Sequence, residues 1–256
     1  MAHRPARSLK YRQNRDRPLP PRSGARRYRD TGVEVFPNLG LHPEVKVSFT
    51  VMAHPKRRVW AEEIAGEIGC DITWDRRSDR HDTGLRAIEA YDRSADYHVV
   101  VQDDVILPRD FADGVRAALR FVEPGAPASF YYGGKGNAHS KHVAAWQAAE
   151  AAGASWLVRK GPIWGPAIAY HTANIPALVD YFEASEVQNY DRRVMKFYQS
   201  RGIRCWYSLP SLVEHRQEDN PSLCGHDRGV REARRFVGPR SALEVDWSGP
   251  VAGSQS

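Results

Sequence analysis

Long apolar runs are missing from this chain of 256 residues. No stretch approaches the ~20 consecutive apolar residues that a membrane-spanning helix needs, so the sequence predicts no membrane partner. Cysteine is scarce as well, since the chain has three and they cannot all pair. The first residues carry no apolar core typical of a secretory signal. Together these absences predict a cytoplasmic protein in a reducing compartment, with an ordinary hydrophobic core.

Two glycine-rich phosphate-binding motifs are also absent. No GxGxxG follows the first predicted strand, and no GxxxxGK[ST] occurs anywhere in the chain. The first absence argues against a classical dinucleotide-binding domain, and the second excludes a P-loop protein.

Positive charge is concentrated at one end of the chain. Residues 1–31 carry ten Lys or Arg and two Asp, a net charge of +8, whereas the remainder carries 27 basic and 29 acidic residues, a net charge of −2. Pro18, Pro20 and Pro21 would break any helix there. We predict a flexible basic arm over residues 1–31, which either holds a phosphate backbone by counterion release or serves as a solubilising tail.

The central feature of the sequence is the stretch 97–108, YHVVVQDDVILP. Its β-branched run predicts a buried strand, and two carboxylates, Asp103 and Asp104, end that run. Lone charges are not tolerated inside an apolar core, so both are expected at the carboxyl end of the strand, where α/β sheets bind ligands. Two hard oxygen ligands suit Mg²⁺ or Mn²⁺ shared with substrate phosphates, although a solvated strand end or a helix cap explains them equally well.

Three strand–helix units follow one another in the first half of the chain. The predicted strands lie at 45–52, 71–75 and from 97 onward, and the helices end at Gly69, begin at Asp82 or Thr83, and span 109–122. Such a succession predicts a parallel, Rossmann-like sheet flanked by helices. The basic loop 54–58 after the first strand offers cations and a helix N-terminus to a phosphate.

The second half of the chain has a different pattern. We predict strands at 128–132, 156–159 and 204–208 (the last continuing to 216), helices at 140–152, 174–184 and 191–201, and a frayed end at 240–256. Between them, the Gly/Pro-rich segment 161–166 either brings backbone and Trp164 close to a ligand or forms a rigid turn that packs Trp164 into the core.

Five motifs stand in order between residues 45 and 238: VMAHPKRR, VVVQDDVILPRDF, GPIWGPAIAY, NYDRRVMKFYQSRG and LPSLVEHR. With these motifs the chain resembles the GT-A class of nucleotide-sugar glycosyltransferases, in particular the small glycosyltransferase-like proteins of tailed bacteriophages and, more distantly, lipooligosaccharide galactosyltransferases. The resemblance implies a GT-A-like α/β domain over 32–239, preceded by the arm 1–31 and followed by a C-terminal tail, 240–256. A phage-encoded protein would act in the host cytoplasm.

The implied activity is metal-dependent transfer of a hexosyl or pentosyl group to an acceptor hydroxyl. By the resemblance, Asp104 would bind Mn²⁺ or Mg²⁺, with Asp103 beside it and His215 completing the coordination. The family's motif usually reads Asp-x-Asp or Glu-Asp-Asp, and this chain departs from it with Gln102, whose amide can still bond a ribose hydroxyl. Asp191 would be the general base of an inverting reaction, but as an acid at a helix start it could equally be a cap.

The implied donor is a nucleoside diphosphate sugar, with a UDP-sugar favoured. The residues expected to bind it are Ala53, His54, Arg57, Arg58, Asp75, Gln102, Asp103, Trp164, Gly165 and Arg228. The three arginines would place positive charge at the diphosphate, and Asp75 would bind the base or ribose. His139 and His54 are weaker alternatives to Asp191 as the general base.

Two acceptors are open at this stage. The basic arm and the phage-type resemblance favour DNA carrying hydroxymethylated bases, which an enzyme reaches through a groove or by base flipping. Virion protein or another glycan is the other candidate.

Three other functions compete with this one. A sugar-1-phosphate nucleotidyltransferase needs a glycine-rich loop that AHPKRR does not provide. A non-enzymatic nucleic-acid-binding protein would use the arginine-rich arm and keep the Asp pair as structure. A zinc site from Cys205, His215, Cys224 and His226 has suitable ligand types but lacks a CxxC-type spacing.

Overall fold

The computed structural model describes residues 26–28, 33–37, 44–133, 140–161, 163–187, 189–217 and 231–254. The strands are β1 (Arg26–Tyr28), β2 (Val33–Phe36), β3 (Val47–Ala53), β4 (Asp71–Trp74), β5 (Tyr97–Gln102), β6 (Val105–Ile106), β7 (Ala128–Ser129), β8 (Trp156–Arg159), β9 (Ala167–His171), β10 (Cys205–Ser208), β11 (Glu214–His215) and β12 (Val251–Ser254). The α-helices are α1 (Arg58–Ile68), α2 (Arg80–Glu89), α3 (Phe111–Leu119), α4 (Ser140–Ala151), α5 (Ile175–Ala184) and α6 (Tyr190–Ser200).

Ten of these strands form one sheet in the order β1-β2-β12-β8-β10-β7-β9-β5-β3-β4. Strands β2, β3, β4, β5, β7 and β10 point in one direction, and β1, β8, β9 and β12 point in the other. The predicted α/β class with a mostly parallel sheet is confirmed in this sense. The uninterrupted parallel part, β4-β3-β5, comes from the strand–helix units of the first half, as expected.

Helices cover both faces of the sheet because the strands in its centre are apolar on both sides. In β5, Val99 and Val101 face the cluster that contains the buried residues of α1 and α3, whereas Val100 faces the cluster of α2, α4, α5 and α6. His98 of the same strand is a core residue, hydrogen-bonded to Ser48 and to the Ala87 carbonyl, and burial lowers its pKa to about 4. A near-continuous apolar strand is typical of such a two-sided burial.

The first helix follows its sequence pattern closely. Its buried residues are Ala61, Ile64, Ala65 and Ile68, and Gly69 ends it in the left-handed conformation at φ 74°. The second helix begins earlier than predicted, since Asp79 rather than Asp82 or Thr83 caps it, accepting from the backbone N–H groups of His81 and Asp82. Asp79 is followed by polar residues, so the apolar periodicity marked the helix only from its second turn.

The strand predicted to continue from 204 to 216 is wrong beyond Ser208. After a cis Leu209–Pro210 bond the chain leaves the large sheet. It then forms β11, which pairs antiparallel with β6 in a separate two-stranded ribbon. A proline lacks the N–H that a ladder needs, and this explains the break.

Both predicted end segments contain strands. β1 lies inside the segment expected to be a flexible arm and pairs with β2. The prediction of a frayed end at 240–256 is wrong for residues 240–254, because β12 lies between β2 and β8 in the sheet, and Trp247 and Ala242 are buried. Gly114 on α3 allows this packing, since a Cβ there would lie 2.2 Å from the Ala242 Cβ. Among the described helices, none is long and apolar enough to cross a membrane.

Candidate active site

The two central carboxylates lie at the carboxyl ends of the parallel strands. β5 ends at Gln102, and Asp103 and Asp104 form the turn to β6, each less than 5% exposed. The neighbouring strand β3 ends in register with β5, since Met52 pairs with Gln102. The loop that follows β3 therefore begins beside the Asp pair, as expected for parallel strands whose ends meet at one edge.

Asp103 holds this loop with both of its carboxylate oxygens. Oδ2 accepts from the backbone N–H of His54 at 2.7 Å, and Oδ1 accepts from Arg57 Nη1 at 2.8 Å. His54 in turn caps the following 3-10 turn, its Nδ1 accepting from the Lys56 N–H at 3.1 Å. This arrangement puts the His54 proton on Nε2, which lies 4.0 Å from Asp75 Oδ2.

Asp104 is surrounded by three cationic or potentially cationic side chains. Its Oδ2 lies 3.1 Å from Arg57 Nη1 and 3.4 Å from Arg231 Nη2, and its Oδ1 lies 3.7 Å from His215 Nδ1. The ribbon of β6 and β11 brings His215 here, because its register pairs His215 with Val105, the next residue after Asp104. The backbone N–H of Arg216 fixes the same turn by donating to the Asp104 carbonyl at 2.8 Å.

The two carboxyl groups differ in their ionisation. Burial raises the pKa of Asp103 above its usual range, against the opposing influence of Arg57 and the His54 N–H. Burial would raise the pKa of Asp104 too, but His215, Arg57 and Arg231 together outweigh it and hold that pKa well below its usual range. Asp104 is therefore the firmly ionised member of the pair.

The donor set around Asp104 fits a divalent cation bound by two protein ligands. His215 Nδ1 is buried and has no hydrogen-bond partner among the described residues, and 3.7 Å is too long for a hydrogen bond to Asp104. That separation is less than twice the metal–ligand distance of about 2.1 Å, so one ion can contact both atoms. Carboxylate with imidazole suits Mn²⁺ better than Mg²⁺. Within the described ranges, no group of three or more His, Cys, Asp and Glu side chains is arranged to hold a metal.

Asp191 and Gln102 meet at Gly165. The position that a Cβ on Gly165 would occupy lies 2.5 Å from Asp191 Oδ1 and 2.5 Å from Gln102 Nε2. The backbone N–H of Gln102 donates to the carbonyl of Pro166 at 2.8 Å. The loop before β9 thus passes against the residue that precedes the Asp pair, and only a glycine leaves room there for both side chains.

Asp191 is held in place by its neighbours on α6. Asn189 caps the helix, accepting from the Arg192 N–H at 2.9 Å, so Asp191 is not the capping residue. Tyr190 is buried and its hydroxyl lies 2.6 Å from that of Tyr170. Gly84 of α2 admits the Tyr190 ring, since a Cβ on it would lie 2.5 Å away. These contacts fix the start of α6, and with it Asp191.

Two of the solved structures that are similar to this chain are of glycosyltransferases. One is described as a glycosyltransferase involved in the glycosylation of the major capsid of PBCV-1; it is 12% identical, with a TM-score of 0.37, and the match covers 62% of this chain and 81% of that one. The other is a mutant of Drosophila β-1,4-galactosyltransferase 7 with manganese, UDP-Gal and xylobiose; it is 7% identical, with a TM-score of 0.39, and the match covers 80% and 92%.

No protein-family model matches the chain, and no curated protein matches its sequence.

The other predicted donor-binding residues are placed as follows. Ala53 is the buried last residue of β3, and its carbonyl accepts from the Asp75 N–H at 2.7 Å. Asp75 Oδ1 accepts from two backbone N–H groups of its own turn, those of Arg77 and Asp79. Arg58 points elsewhere, to Glu62 and over the Trp74 ring. The structure thus keeps Asp75 at this edge through its backbone bond to Ala53, with His54 Nε2 4.0 Å from its carboxylate, but does not bring Arg58 to the Asp pair.

Trp164 is packed within an aromatic cluster. Its ring lies edge-on to Tyr132 and Tyr207, with centroids 4.7 and 5.6 Å away, and a Cβ on Gly133 would lie 3.0 Å from its indole nitrogen. Its carbonyl accepts from Ser129 Oγ. These contacts agree with the interpretation of the segment as a rigid turn that fixes the position of Gly165.

Several predicted residues lie outside the described ranges. Arg228 and His139 are among them, as are Cys224 and His226 of the proposed zinc site. The two described members of that set face different partners, since Cys205 Sγ donates to the Trp206 carbonyl and His215 faces Asp104.

Two residues of the site escaped the sequence analysis. Arg231 reaches Asp104, and Glu214 accepts from the backbone N–H groups of Ala233 and His215 at 2.8 Å, which ties the segment carrying Arg231 to β11. The only signal for Arg231 was a run of arginines near the end of the chain, and a basic run is usually a solvated surface.

Proposed function

We propose that this protein is a metal-dependent glycosyltransferase with a GT-A-like fold, which moves a sugar from a nucleoside diphosphate sugar to an acceptor hydroxyl. One observation carries the proposal: at one edge of the sheet, an ionised, buried Asp104 faces His215, while the preceding Gln102 meets Asp191 across Gly165. Gln102, two residues before Asp104, thus approaches the same glycine as the candidate base Asp191. The proposal rests on this geometry and on the sequence motifs.

Each group then has a role in the transfer. Asp104 and His215 would hold a Mn²⁺ or Mg²⁺ ion, which when bound neutralises the leaving diphosphate. Asp103 positions the loop 54–57 through His54 and Arg57. Arg57 and Arg231 place two further positive charges beside the same phosphates.

Asp191 accepts the proton of the attacking hydroxyl in this scheme. Asp191 Oδ1 and Gln102 Nε2 both approach Gly165, which supports a fixed position for the Asp191 carboxylate. Orientation of a reacting group would supply a large part of the acceleration of such a transfer. The proton leaves the acceptor oxygen as that oxygen bonds to the anomeric carbon, and the bond to the diphosphate breaks. Attack from the face opposite the diphosphate gives inversion.

The experiment that tests the proposal measures hydrolysis of a panel of UDP- and GDP-sugars with Mn²⁺, with Mg²⁺ and with EDTA. We expect one donor to be hydrolysed in a Mn²⁺-dependent manner. Absence of hydrolysis and of binding for every donor, in the presence of either metal, would contradict it.

For the acceptor we propose DNA carrying hydroxymethylated bases. The support is the position of the charge: residues 1–25 hold seven Lys or Arg and one Asp, and the remainder holds thirty basic and thirty acidic residues, so the whole net charge of +6 lies in that segment. Such a segment can bind a phosphate backbone by counterion release. Virion protein and glycans are the alternatives that the acceptor experiment must include.

Truncation before Arg26 separates the acceptor from the donor function. We expect removal of residues 1–25 to lower transfer to a hydroxymethylated duplex about a hundredfold or more and to leave donor hydrolysis unchanged, because only counterion release is lost. β1 remains, so the sheet is intact. Full transfer to DNA by the truncated protein would refute this role. Transfer to a capsid protein or glycan instead of DNA would replace the proposed acceptor.

Gly165→Ala tests the close approach of Asp191 and Gln102 to Gly165. We expect donor hydrolysis to fall about ten- to a hundredfold, because the new Cβ pushes aside the two side chains it would meet at 2.5 Å, and small displacements in a site have effects of this size. Gly66→Ala is the matched control: it lies within α1 with nothing within 4 Å of the added Cβ. It should retain full activity and gain about 0.5–1 kcal/mol in unfolding free energy. Wild-type activity of Gly165→Ala would contradict the assignment.

A further inference from the structure

Arg57 is bonded to both carboxylates of the site at once. Its Nη1 lies 2.8 Å from Asp103 Oδ1 and 3.1 Å from Asp104 Oδ2, and its side chain is 9% exposed. Arg231 Nη2 adds a second guanidinium at 3.4 Å from the same Asp104 oxygen. Two buried anions are therefore matched by two cations within the protein itself, before any ligand is considered.

The backbone around Arg57 keeps it in this position. Its N–H donates to the His54 carbonyl at 2.9 Å, and the His54 N–H is itself bonded to Asp103. The loop, the guanidinium and the two carboxylates thus form a closed set of hydrogen bonds. Arg57 is fixed at the carboxylates from two sides.

A divalent cation added to this arrangement would leave the site with excess positive charge. Two guanidiniums already balance the two carboxylates. An added divalent cation would therefore be repelled by both guanidiniums at short range. The compensating charge must come from outside, and a diphosphate carries it. A guanidinium that gives up a carboxylate can bond diphosphate oxygens instead, with two parallel N–H donors.

We propose that Arg57 makes metal binding conditional on a nucleoside diphosphate: alone, the guanidinium opposes a divalent cation on Asp104, and with a diphosphate present it transfers part of its bonding to the phosphate. This inference rests on the proposed function and adds to it that the binding of the metal depends on the binding of the donor. Metal and donor bind as a pair, and by thermodynamic linkage each raises the affinity for the other.

The test measures Mn²⁺ affinity without any turnover, by the EPR signal of the free ion, in the absence and presence of UDP and of UMP. For the wild-type protein we expect UDP to tighten Mn²⁺ binding at least about tenfold, and UMP to do so much less. In Arg57→Gln, Mn²⁺ alone should bind about tenfold more tightly than to wild type, because the opposing charge is gone, and the effect of UDP should shrink. Arg57→Lys keeps the charge and should behave as wild type toward Mn²⁺ alone.

Arg116→Gln is the matched control, since it removes the same charge from an exposed pair with Asp113 on α3 and should change nothing. If wild type binds Mn²⁺ equally well with and without UDP, the inference is overturned even where Arg57→Gln does not fold. It is also overturned if Arg57→Gln binds Mn²⁺ alone no more tightly than wild type while Asp104→Asn has lost the ion. If Asp104→Asn binds Mn²⁺ and UDP as wild type does, the proposed metal site itself fails.

Discussion

Asp104→Asn is expected to abolish Mn²⁺-dependent release of UDP from a UDP-sugar, lowering kcat/KM by at least about a hundredfold. The amide keeps the shape of the side chain but loses the charge that a divalent cation requires. A metal at a leaving group lowers the activation barrier by several kcal/mol, and each 1.36 kcal/mol corresponds to a tenfold change in rate. The assay is nucleotide release with and without EDTA, run alongside binding of Mn²⁺ by EPR.

Asp113→Asn serves as the control for that variant. It makes the same chemical change at an exposed ion pair on α3, where the carboxylate is 65% exposed, and should retain full activity. Equal rates for Asp104→Asn and wild type would remove the metal ligand from the mechanism, and with it the strongest reason to place a diphosphate at this edge of the sheet.

The same substitution should also show in the stability of the protein. The folded-state pKa of Asp104 is below its ordinary value of 3.8, so the ionised group stabilises the fold above that pH, and this contribution is lost as the pH falls. Breaking a buried ion pair by removing one partner costs about 3 kcal/mol, which is the loss we expect for Asp104→Asn at pH 7. Denaturant titrations should show the gap to wild type narrowing from pH 5 to pH 2.

Asp103 contributes in the opposite direction. Its folded-state pKa is raised, so at neutral pH its ionised form lowers the free energy of unfolding. This cost partly offsets the stabilisation that ionised Asp104 provides. Their unequal roles follow from geometry: both oxygens of Asp103 hold the loop at His54 and Arg57, whereas Asp104 faces His215.

The local patterns of the sequence predicted the parallel half of the fold well. The run 97–102 is β5, the Asp pair ends it, and Gly69 ends α1, because each of these features depends on residues close in sequence. The features that were missed depend on contacts between distant residues. β11 is formed by pairing with β6, which lies more than a hundred residues away in sequence. β12 is formed by pairing with both β2 and β8. Neither pairing leaves a periodic signal in a strand of two or four residues.

The candidate site shows the same division. The Asp pair, His54 and Arg57 could be predicted together because they follow two parallel strands, β5 and β3, and the carboxyl ends of parallel strands lie at one edge. Arg231 could not be predicted, since its position depends on Glu214, which holds the backbone at Ala233. A long-range tie of this kind depends on the fold and not on any local pattern.

Asp191→Asn is the prediction that tests the chemistry of the acceptor side. We expect kcat to fall about 10²- to 10⁴-fold, the usual contribution of a positioned general base, while the affinities for Mn²⁺ and UDP stay within about twofold of wild type. The fold should be unaffected, because Asn189 rather than Asp191 caps α6 and the substitution preserves size. Calorimetry with UDP and Mn²⁺ gives the affinities, and donor hydrolysis at saturating donor gives kcat.

A second variant on the same turn separates catalysis from helix stability. Asn189→Ala removes the cap and should cost about 1 kcal/mol of unfolding free energy while keeping kcat within a few-fold, because the Asp191 carboxylate is retained and Tyr190 still anchors the helix start. Asp191→Asn should thus lose rate but not stability, and Asn189→Ala should lose stability but not rate. If Asp191→Asn instead weakens UDP and Mn²⁺ binding and leaves kcat unchanged, Asp191 belongs to the donor side, and the base must be sought elsewhere along the edge that Gly165 and Gln102 define.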